Sequence, residues 1–344
     1  MGLRSGNDLI SELPDDIISS IVSYLTPRDA VKTSLLSHRW KTICASSFCL
    51  KFDWDNILLD RENKWWLQST YPCTKYFKDK FVRAVNKFLQ FYYDHHQGVT
   101  RIGSFQLYFC LGKDCTKDID QWISLATKMG AQSITLCLDC SKHCLHSYEK
   151  IYVFRQELLS QGTEFNLKHL ELQACILGPN LLTKFINLVT LKLVDIPLSR
   201  SDVQTICSSC LSLSHLFFLE CNLPLKLSIV GSLLCLRILR ICDCSWVEQI
   251  ELSAMNLLRF EYSSICWVNH FFLGAPKLEE AYFTVEYSKG EVYDRIFHQL
   301  AEDLPNLKIL YVLACGHLVC EKKKLKKKKK TSVIVLFVNN SKVF

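Results

Sequence analysis

The sequence predicts an α/β fold: a three-helix N-terminal module followed by a solenoid, a curved parallel sheet with helices or irregular segments on its convex side. Three observations carry this. The register L-x-x-L-x-L, with apolar stand-ins, recurs at least seven times between Leu167 and Val312. Residues 8–50 show apolar positions at helical spacing instead. After the last repeat the apolar periodicity gives way to a run of lysines. The expected organisation is therefore a helical module over 8–50, a helical linker packing between module and repeats over 51–100, repeats over 101–320, and a lysine-rich, disordered tail over 321–344.

In the module, Leu13, Ile17, Ile18, Ile21, Val22 and Leu25 share one helical stripe. Pro14 suits a first turn, and Asp15 and Asp16 complement the positive end of the helix. Thr26-Pro27 reads as an N-cap and first-turn proline opening a second helix with Ala30, Val31, Leu35 and Leu36 on its apolar side. Ser37 caps a third, in which Trp40, Ile43 and Cys44 share a face. About forty residues give a thin core, so this module gains stability from a partner or from the segment behind it.

Phe81, Val85, Phe88 and Leu89 form an amphipathic helix leading into Ile102/Phe105/Leu107, and Trp122 precedes Ile134/Leu136/Leu138. The repeats proper are Leu167/Leu170/Leu172, Leu188/Leu191/Leu193, Leu213/Leu216/Phe218, Leu236/Leu239/Ile241, Leu257/Phe260/Tyr262, Leu278/Ala281/Phe283 and Leu307/Leu310/Val312. Their first positions lie 21, 25, 23, 21, 21 and 29 residues apart. That period is near the one of leucine-rich repeats, in which each unit contributes a short strand to a shared core and stacks on its neighbours. Outward positions then alternate with core positions, so Glu171, Lys192, Phe217, Arg240, Glu261, Tyr282 and Tyr311 line the concave face. Cys175, Cys221, Cys244 and Cys315 each follow the last strand position by three residues, where such repeats close the turn with Asn or Cys.

Charge and cysteine content bound the function. The net charge of +7 resides in the eight lysines between Lys322 and Lys330; without them the body is nearly neutral, 33 basic residues against 34 acidic. A nucleic-acid groove needs basic residues spread over a folded face, so no specific nucleic-acid partner is expected. The lysine run reads as a solvated tail dispensable for folding, with nuclear targeting or a weak polyanion contact as alternatives. Thr331 to Val338 is apolar but far too short to span a bilayer, and is either an edge strand or a C-terminus outside the repeats. The N-terminus carries Arg4, Asp8 and Glu12 with no apolar run, so no secretory signal is expected, and Gly6 stands where a myristoylation motif wants Ser or Thr. Neither a membrane nor an oxidising compartment is implied. The 18 cysteines fall at repeat positions and read as small buried hydrophobes.

Signatures of nucleotide use and hydrolysis are missing: no Walker loop, G-x-G-x-x-G, G-x-S-x-G or H-E-x-x-H occurs. Cys207 and Cys210 form a C-x-x-C, but Ile206, Cys210 and Leu213 recur at helical spacing, so core is the better reading than a redox pair. Asp53, Asp55 and Asp60 read as loop charges. Cys137, Cys140, His143, Cys144 and His146 have the residue types of a zinc site. Alternation puts Cys137 and Cys140 on opposite faces of any strand containing both, so no metal and no cofactor are expected.

Leu13-Pro14-Asp15-Asp16-Ile17-Ile18, then Leu25, Ala30, Val31, Leu35, Ser37 and Trp40-Lys41, resemble the F-box. This is the helical motif by which substrate receptors dock on the Skp-family adaptor of a cullin ubiquitin ligase. With the repeats behind it, the chain is similar over about residues 8 to 315 to plant F-box proteins with leucine-rich repeats. The resemblance implies an adaptor contact through Leu13, Pro14, Ile17, Ile18, Ile21, Leu25, Ala30, Val31, Leu35, Ser37 and Trp40. It implies a cullin reached through that adaptor, and an unknown protein substrate held on the concave face. The chain would then be a non-enzymatic substrate receptor, in nucleus and/or cytoplasm. A non-catalytic interaction scaffold and a small-ligand receptor of the same fold stay open. Many members carry a further C-terminal FBD domain, and the lysine run stands in its place: either this is a short member or the tail comes from an altered reading of the gene. The stretch from Cys144 to Gly162 is looser than the family pattern, so repeat boundaries between 140 and 165 stay open.

Overall fold

The computed structural model describes residues 12–23, 25, 33, 36–40, 43, 49–57, 74–95, 102–139, 150–159, 167–179, 181–266, 268, 270–287, 306–315 and 332–338. The chain divides into two compact units, one of residues 1–152 and 157–166, the other of residues 153–156 and 167–344.

In the first unit, helix α1 (Asp15–Ser23) starts at Pro14, whose carbonyl accepts the N–H groups of Ile17 and Ile18. Of the second and third helices expected in the module, residues 33, 38–40 and 43 are helical and much of the remainder, including Ala30, Val31 and Leu35, lies outside the described residues. Strand β1 (Cys49–Asp53) follows, then a short helix α2 (Trp54–Ile57), helix α3 (Lys75–His95), strand β2 (Ser104–Tyr108), helix α4 (Thr116–Lys128) and strand β3 (Ser133–Cys137). The three strands are parallel and in register, Leu50 beside Phe105 and Phe105 beside Ile134.

The linker expected to be helical over 51–100 thus opens with strand residues, because Leu50 and Phe52 alternate with Cys49, Lys51 and Asp53 at period two. Asp53 is a helix cap: its carboxylate accepts the Asn56 N–H at 2.7 Å, which opens α2. Phe81, Val85 and Leu89 of α3 are buried, and Phe88 meets Phe52 edge-on at 5.5 Å between centroids. Trp122 is buried in α4 and its indole N–H donates to Asn86 Oδ1 at 2.6 Å, so this bulky side chain is hydrogen-bonded as well as packed.

The second unit is built from the repeats. Its main sheet is fully parallel, in the order β5 (His169–Gln173), β7 (Thr190–Val194), β8 (His215–Leu219), β10 (Ile238–Cys242), β12 (Arg259–Cys266), β14 (Glu280–Tyr287), β15 (Ile309–Cys315) and β16 (Ser332–Val338). Every residue of the seven-fold register from Leu167 to Val312 is at most 5% exposed. The register therefore is the core of this unit, each strand directing alternate residues inward.

Four of these strands end in the same turn. Ala174, Asp195, Glu220 and Asp243, one residue past β5, β7, β8 and β10, have φ of 54°, 51°, 54° and 55°. Their N–H groups donate to the strand beyond, Ala174 to the Val194 carbonyl at 3.1 Å and Glu220 to that of Cys242 at 2.8 Å. The next residue turns inward. Cys175, Cys221 and Cys244 are buried there, and the thiols of Cys221 and Cys244 reach the carbonyls of Leu193 and Phe218 at 3.3 and 3.4 Å. These cysteines close the turns as the sequence suggested, with no disulfide among the described cysteines.

Across from the main sheet the connections differ in kind. Helix α5 (Arg200–Ser209) starts at a capping box: Ser199 Oγ accepts the Asp202 N–H, and the Asp202 carboxylate accepts the Ser199 N–H. Val203, Ile206 and Cys207 are its buried face and Cys210 is its C-terminal cap. Burial pushes the Cys207 thiol up to about 11 and that of Cys210 up to about 12, which keeps both protonated at neutral pH. The following connections are strands, β9 (Lys226–Val230), β11 (Gln249–Ser253) and β13 (His270–Gly274), and these form a second parallel sheet in the order β13-β11-β9. This second sheet departs from the helices or irregular segments expected there. A two-stranded sheet of β4 (Tyr152–Phe154) and β6 (Cys175–Leu177) precedes it. At the far edge β16 pairs with β15, Tyr311 opposite Ile334, so residues 332–338 take the edge-strand alternative and not the disordered one. The physical reason is composition: Ser332–Val338 is dominated by β-branched residues, which suit a pleated surface. The lysine run itself lies outside the described residues.

Candidate functional site

Two surfaces collect the residues that sequence reasoning singled out. The first is α1. Its Ile18 and Val22 are 0% and 3% exposed, whereas Ile17 and Ile21 remain 44% and 38% exposed. The stripe read from the sequence is thus wider than one face, and the helix splits it between interior and surface. Pro14 is exposed, and Leu13, Leu25 and Ser37 are half-buried. Trp40 is only 3% exposed, and its N–H donates to Ser37 Oγ at 3.2 Å. Trp40 and Ile18 are therefore packing residues in this state, as a module of this size needs its bulkiest side chains to fill its own core.

Two residues outside the predicted contact set also belong to this surface. Leu36 is 67% exposed, the most exposed large apolar side chain of the module's described residues. Arg39 ties the start of α1 to the third helical segment, donating to Asp15 Oδ1 at 2.8 Å through Nε and to the Leu13 carbonyl at 2.5 Å through Nη2. An Arg in Ser-x-Arg-Trp and a carboxylate in the first turn of α1 were the available signals. The pair is exposed, so its worth is orientation of the helix start more than stability.

The second surface is the outward face of the main sheet. Strand register puts Glu171 beside Lys192, Lys192 beside Phe217, Phe217 beside Arg240, Arg240 beside Glu261, Glu261 beside Tyr282 and Tyr282 beside Tyr311. All seven predicted positions form one continuous row, each half-buried. Lys192 Nζ meets Glu171 Oε1 at 2.6 Å. The Arg240 guanidinium lies over the Phe217 ring at 5.3 Å and its Nε is 2.7 Å from Glu261 Oε2. The Tyr282 and Tyr311 rings are 6.0 Å apart.

A neighbouring row, two residues earlier in each strand, contributes residues the sequence reading passed over. Arg259 Nε contacts Glu261 Oε1 at 2.5 Å, and its guanidinium stacks 4.6 Å over Tyr282. Glu261 is thereby clasped between two arginines, each lying on an aromatic ring. Burial, then the charge of Glu280, pushes the Tyr282 phenol up, so it stays protonated and donates to Glu280 Oε2 at 3.2 Å. His215 sits in the same row with Nδ1 buried and without a hydrogen-bond partner; burial, then His169, lowers its pKa. The signal for this row was the same alternation that located the first. Ring faces, stacked cations and hydrogen-bonding groups held in fixed positions suit binding, since aromatic and arginine side chains dominate contact energies.

For the cysteine-histidine cluster, Cys137 ends β3 half-buried, while Cys140, His143, Cys144 and His146 lie outside the described residues. Among the described residues no group of three or more His, Cys, Asp or Glu could hold a metal ion, and no helix is long and apolar enough to cross a membrane.

Comparison with known proteins follows the same division. The F-box domain family matches residues 10–52, and the family described as At1g61320/AtMIF1, LRR domain, matches residues 94–329. F-box/LRR-repeat protein At3g03360 of Arabidopsis thaliana is 29% identical over 243 residues, 70% of this chain and 44% of that protein. F-box protein At5g03100 of the same plant is 27% identical over 324 residues, 89% of both chains. F-box/FBD/LRR-repeat protein At1g13570 is 32% identical over 133 residues, 38% of this chain and 27% of that protein. The chain thus covers less than half the length of At3g03360 and of At1g13570.

Proposed function

Because the chain belongs to the F-box proteins with leucine-rich repeats, we propose that it is the substrate-recognition subunit of a Skp-cullin-F-box type ubiquitin ligase. Its N-terminal module docks on the Skp-family adaptor through Leu13, Pro14, Ile17, Ile21 and Leu36, and the adaptor reaches the cullin. The outward row from Glu171 to Tyr311 holds a protein substrate. No residue of this chain touches the reacting atoms. Tethering raises the effective concentration of substrate lysines at the ubiquitin thioester, and proximity is the whole contribution to rate. Such a receptor works in nucleus and/or cytoplasm and is not itself an enzyme.

The observation that carries this reading is the uninterrupted row of seven half-buried residues, rich in Arg and aromatic side chains, on one face of a parallel sheet. The test is proximity labelling with and without proteasome inhibition. Wild type is compared with a variant carrying Phe217→Ala, Arg240→Ala, Tyr282→Ala and Tyr311→Ala. Proteins that accumulate under inhibition should lose their label in the variant, while the adaptor keeps it. An identical labelled set in both would remove the sheet face as the substrate site.

A further inference from the structure

The strand-entry side of the repeat unit carries a second concave feature, away from the row just described. A half-open cleft of about 370 Å³ lies where β8, β10, β12 and β14 begin, lined by Ser214, Leu234, Cys235, Arg237, Asn256, Leu258 and Lys277. We propose that this cleft binds an organic phosphate monoester, its head on Arg237 and Lys277 and its apolar body on Leu234 and Leu258.

Charge is the first argument. The lining contains two cations and no carboxylate. Arg240 and Arg259 of the sheet face are both ion-paired to Glu261, whereas Arg237 is exposed and has no ion pair or hydrogen bond to its side chain among the described residues. The acid in the corresponding position two strands along, Glu279, is already paired with Lys308 Nζ at 2.7 Å. A guanidinium fork left open in a concavity matches the paired oxygens of a phosphate.

The second cation is held in place. Asn256 Nδ2 donates to the Leu234 carbonyl at 2.8 Å, which fixes the amide, and Asn256 Oδ1 accepts from Lys277 Nζ at 2.7 Å. This relay orients the ammonium on the lining of the cleft and leaves its other two N–H groups for a ligand. The Ser214 hydroxyl, half-buried on the same lining, adds a neutral donor.

Size and apolar area extend the inference from a bare anion to an organic one. The volume falls in the range of small-molecule sites, well above the need of one tetrahedral oxyanion. Leu234, 64% exposed, and Leu258, half-buried, put apolar surface on the lining of the cleft beside the two cations. A phosphorylated protein side chain and a free small organic phosphate share this chemistry. The inference stands apart from the adaptor and substrate-row readings, since none of their residues line the cleft.

The test is calorimetric titration of the purified full chain with phenyl phosphate, phenol, inorganic phosphate and a blocked phosphotyrosine tripeptide, with circular dichroism as the folding control. Phenyl phosphate should saturate at one site per chain, and Arg237→Ala and Lys277→Ala should each weaken it roughly tenfold or more. Phenol should not bind, and Leu234→Ala should weaken phenyl phosphate but not inorganic phosphate. Tighter binding of the tripeptide than of phenyl phosphate assigns the site to a modified protein, and equal binding to a small organic phosphate; both support it. Absence of saturation, unchanged binding in both folded cation variants, or inorganic phosphate binding as tightly as phenyl phosphate overturns the proposal.

Discussion

Removing the exposed part of α1 should separate adaptor docking from folding. Ile17 and Ile21 are 44% and 38% exposed, and fully burying an isoleucine contributes about 1.5–3 kcal/mol. The area still open on each side chain is then worth about 0.6–1.3 kcal/mol on docking, about 1.2–2.5 kcal/mol for the two. Ile17→Ala with Ile21→Ala should therefore weaken binding of a purified Skp-family adaptor roughly 8- to 60-fold. Ile18→Ala is the contrasting change: that side chain is 0% exposed, and its truncation should lower stability by about 2–5 kcal/mol instead. Interferometry gives the dissociation constants and circular dichroism melting gives the folding state. A folded Ile17/Ile21 double variant that binds the adaptor as tightly as wild type would remove α1 from the contact and sink the reasoning.

Three further outcomes are expected. Gly112→Ala would set a Cβ 2.5 Å from the Lys150 carbonyl oxygen, so backbone must shift and urea unfolding should show a loss of about 1–3 kcal/mol; an unchanged midpoint would mean the Lys150 segment does not sit there. His215 has its pKa lowered in the folded chain, so the unfolded state binds its proton more readily; stability should fall as pH drops through the unfolded value near about 6.5, and His215→Gln should flatten that slope between about pH 7 and 5. Truncation after Cys320 removes β16 and exposes the edge of β15, so the melting temperature should fall, and an unchanged value would mean β16 does not pair with β15 in solution.

Much of the repeat unit was legible because its signal is redundant. Leu213, Leu216 and Phe218 alone could be read several ways, but the same register in seven units fixes strand, inward face and outward row together. The second sheet was not legible for the opposite reason. Leu227-Ser228-Ile229 and Ile250-Glu251-Leu252 are each too short to separate strand from irregular turn, and only their common spacing from β8 and β10 marks them as equivalent. Helix α5 was foreseen on the convex side from Ile206, Cys210 and Leu213, although its decisive local cause is the Ser199–Asp202 capping box. In the N-terminal module, the stripe from Leu13 to Leu25 identified the helix and not which flank is covered. Burial of Ile18 and exposure of Ile17 depend on what packs behind, a tertiary fact that a single helical period does not encode. Arg259 and the clasp around Glu261 lie outside the predicted row because the same alternation leaves further residues of each strand facing outward beside it.

The most direct test of the receptor reading is assembly from purified parts. Full-length chain, Skp-family adaptor and cullin, mixed and resolved by size-exclusion chromatography, should elute as one ternary complex. That complex should vanish when the adaptor is omitted or when residues 8–50 are deleted. Co-elution of chain and adaptor without cullin, or of neither, would contradict the ligase reading and favour an interaction scaffold.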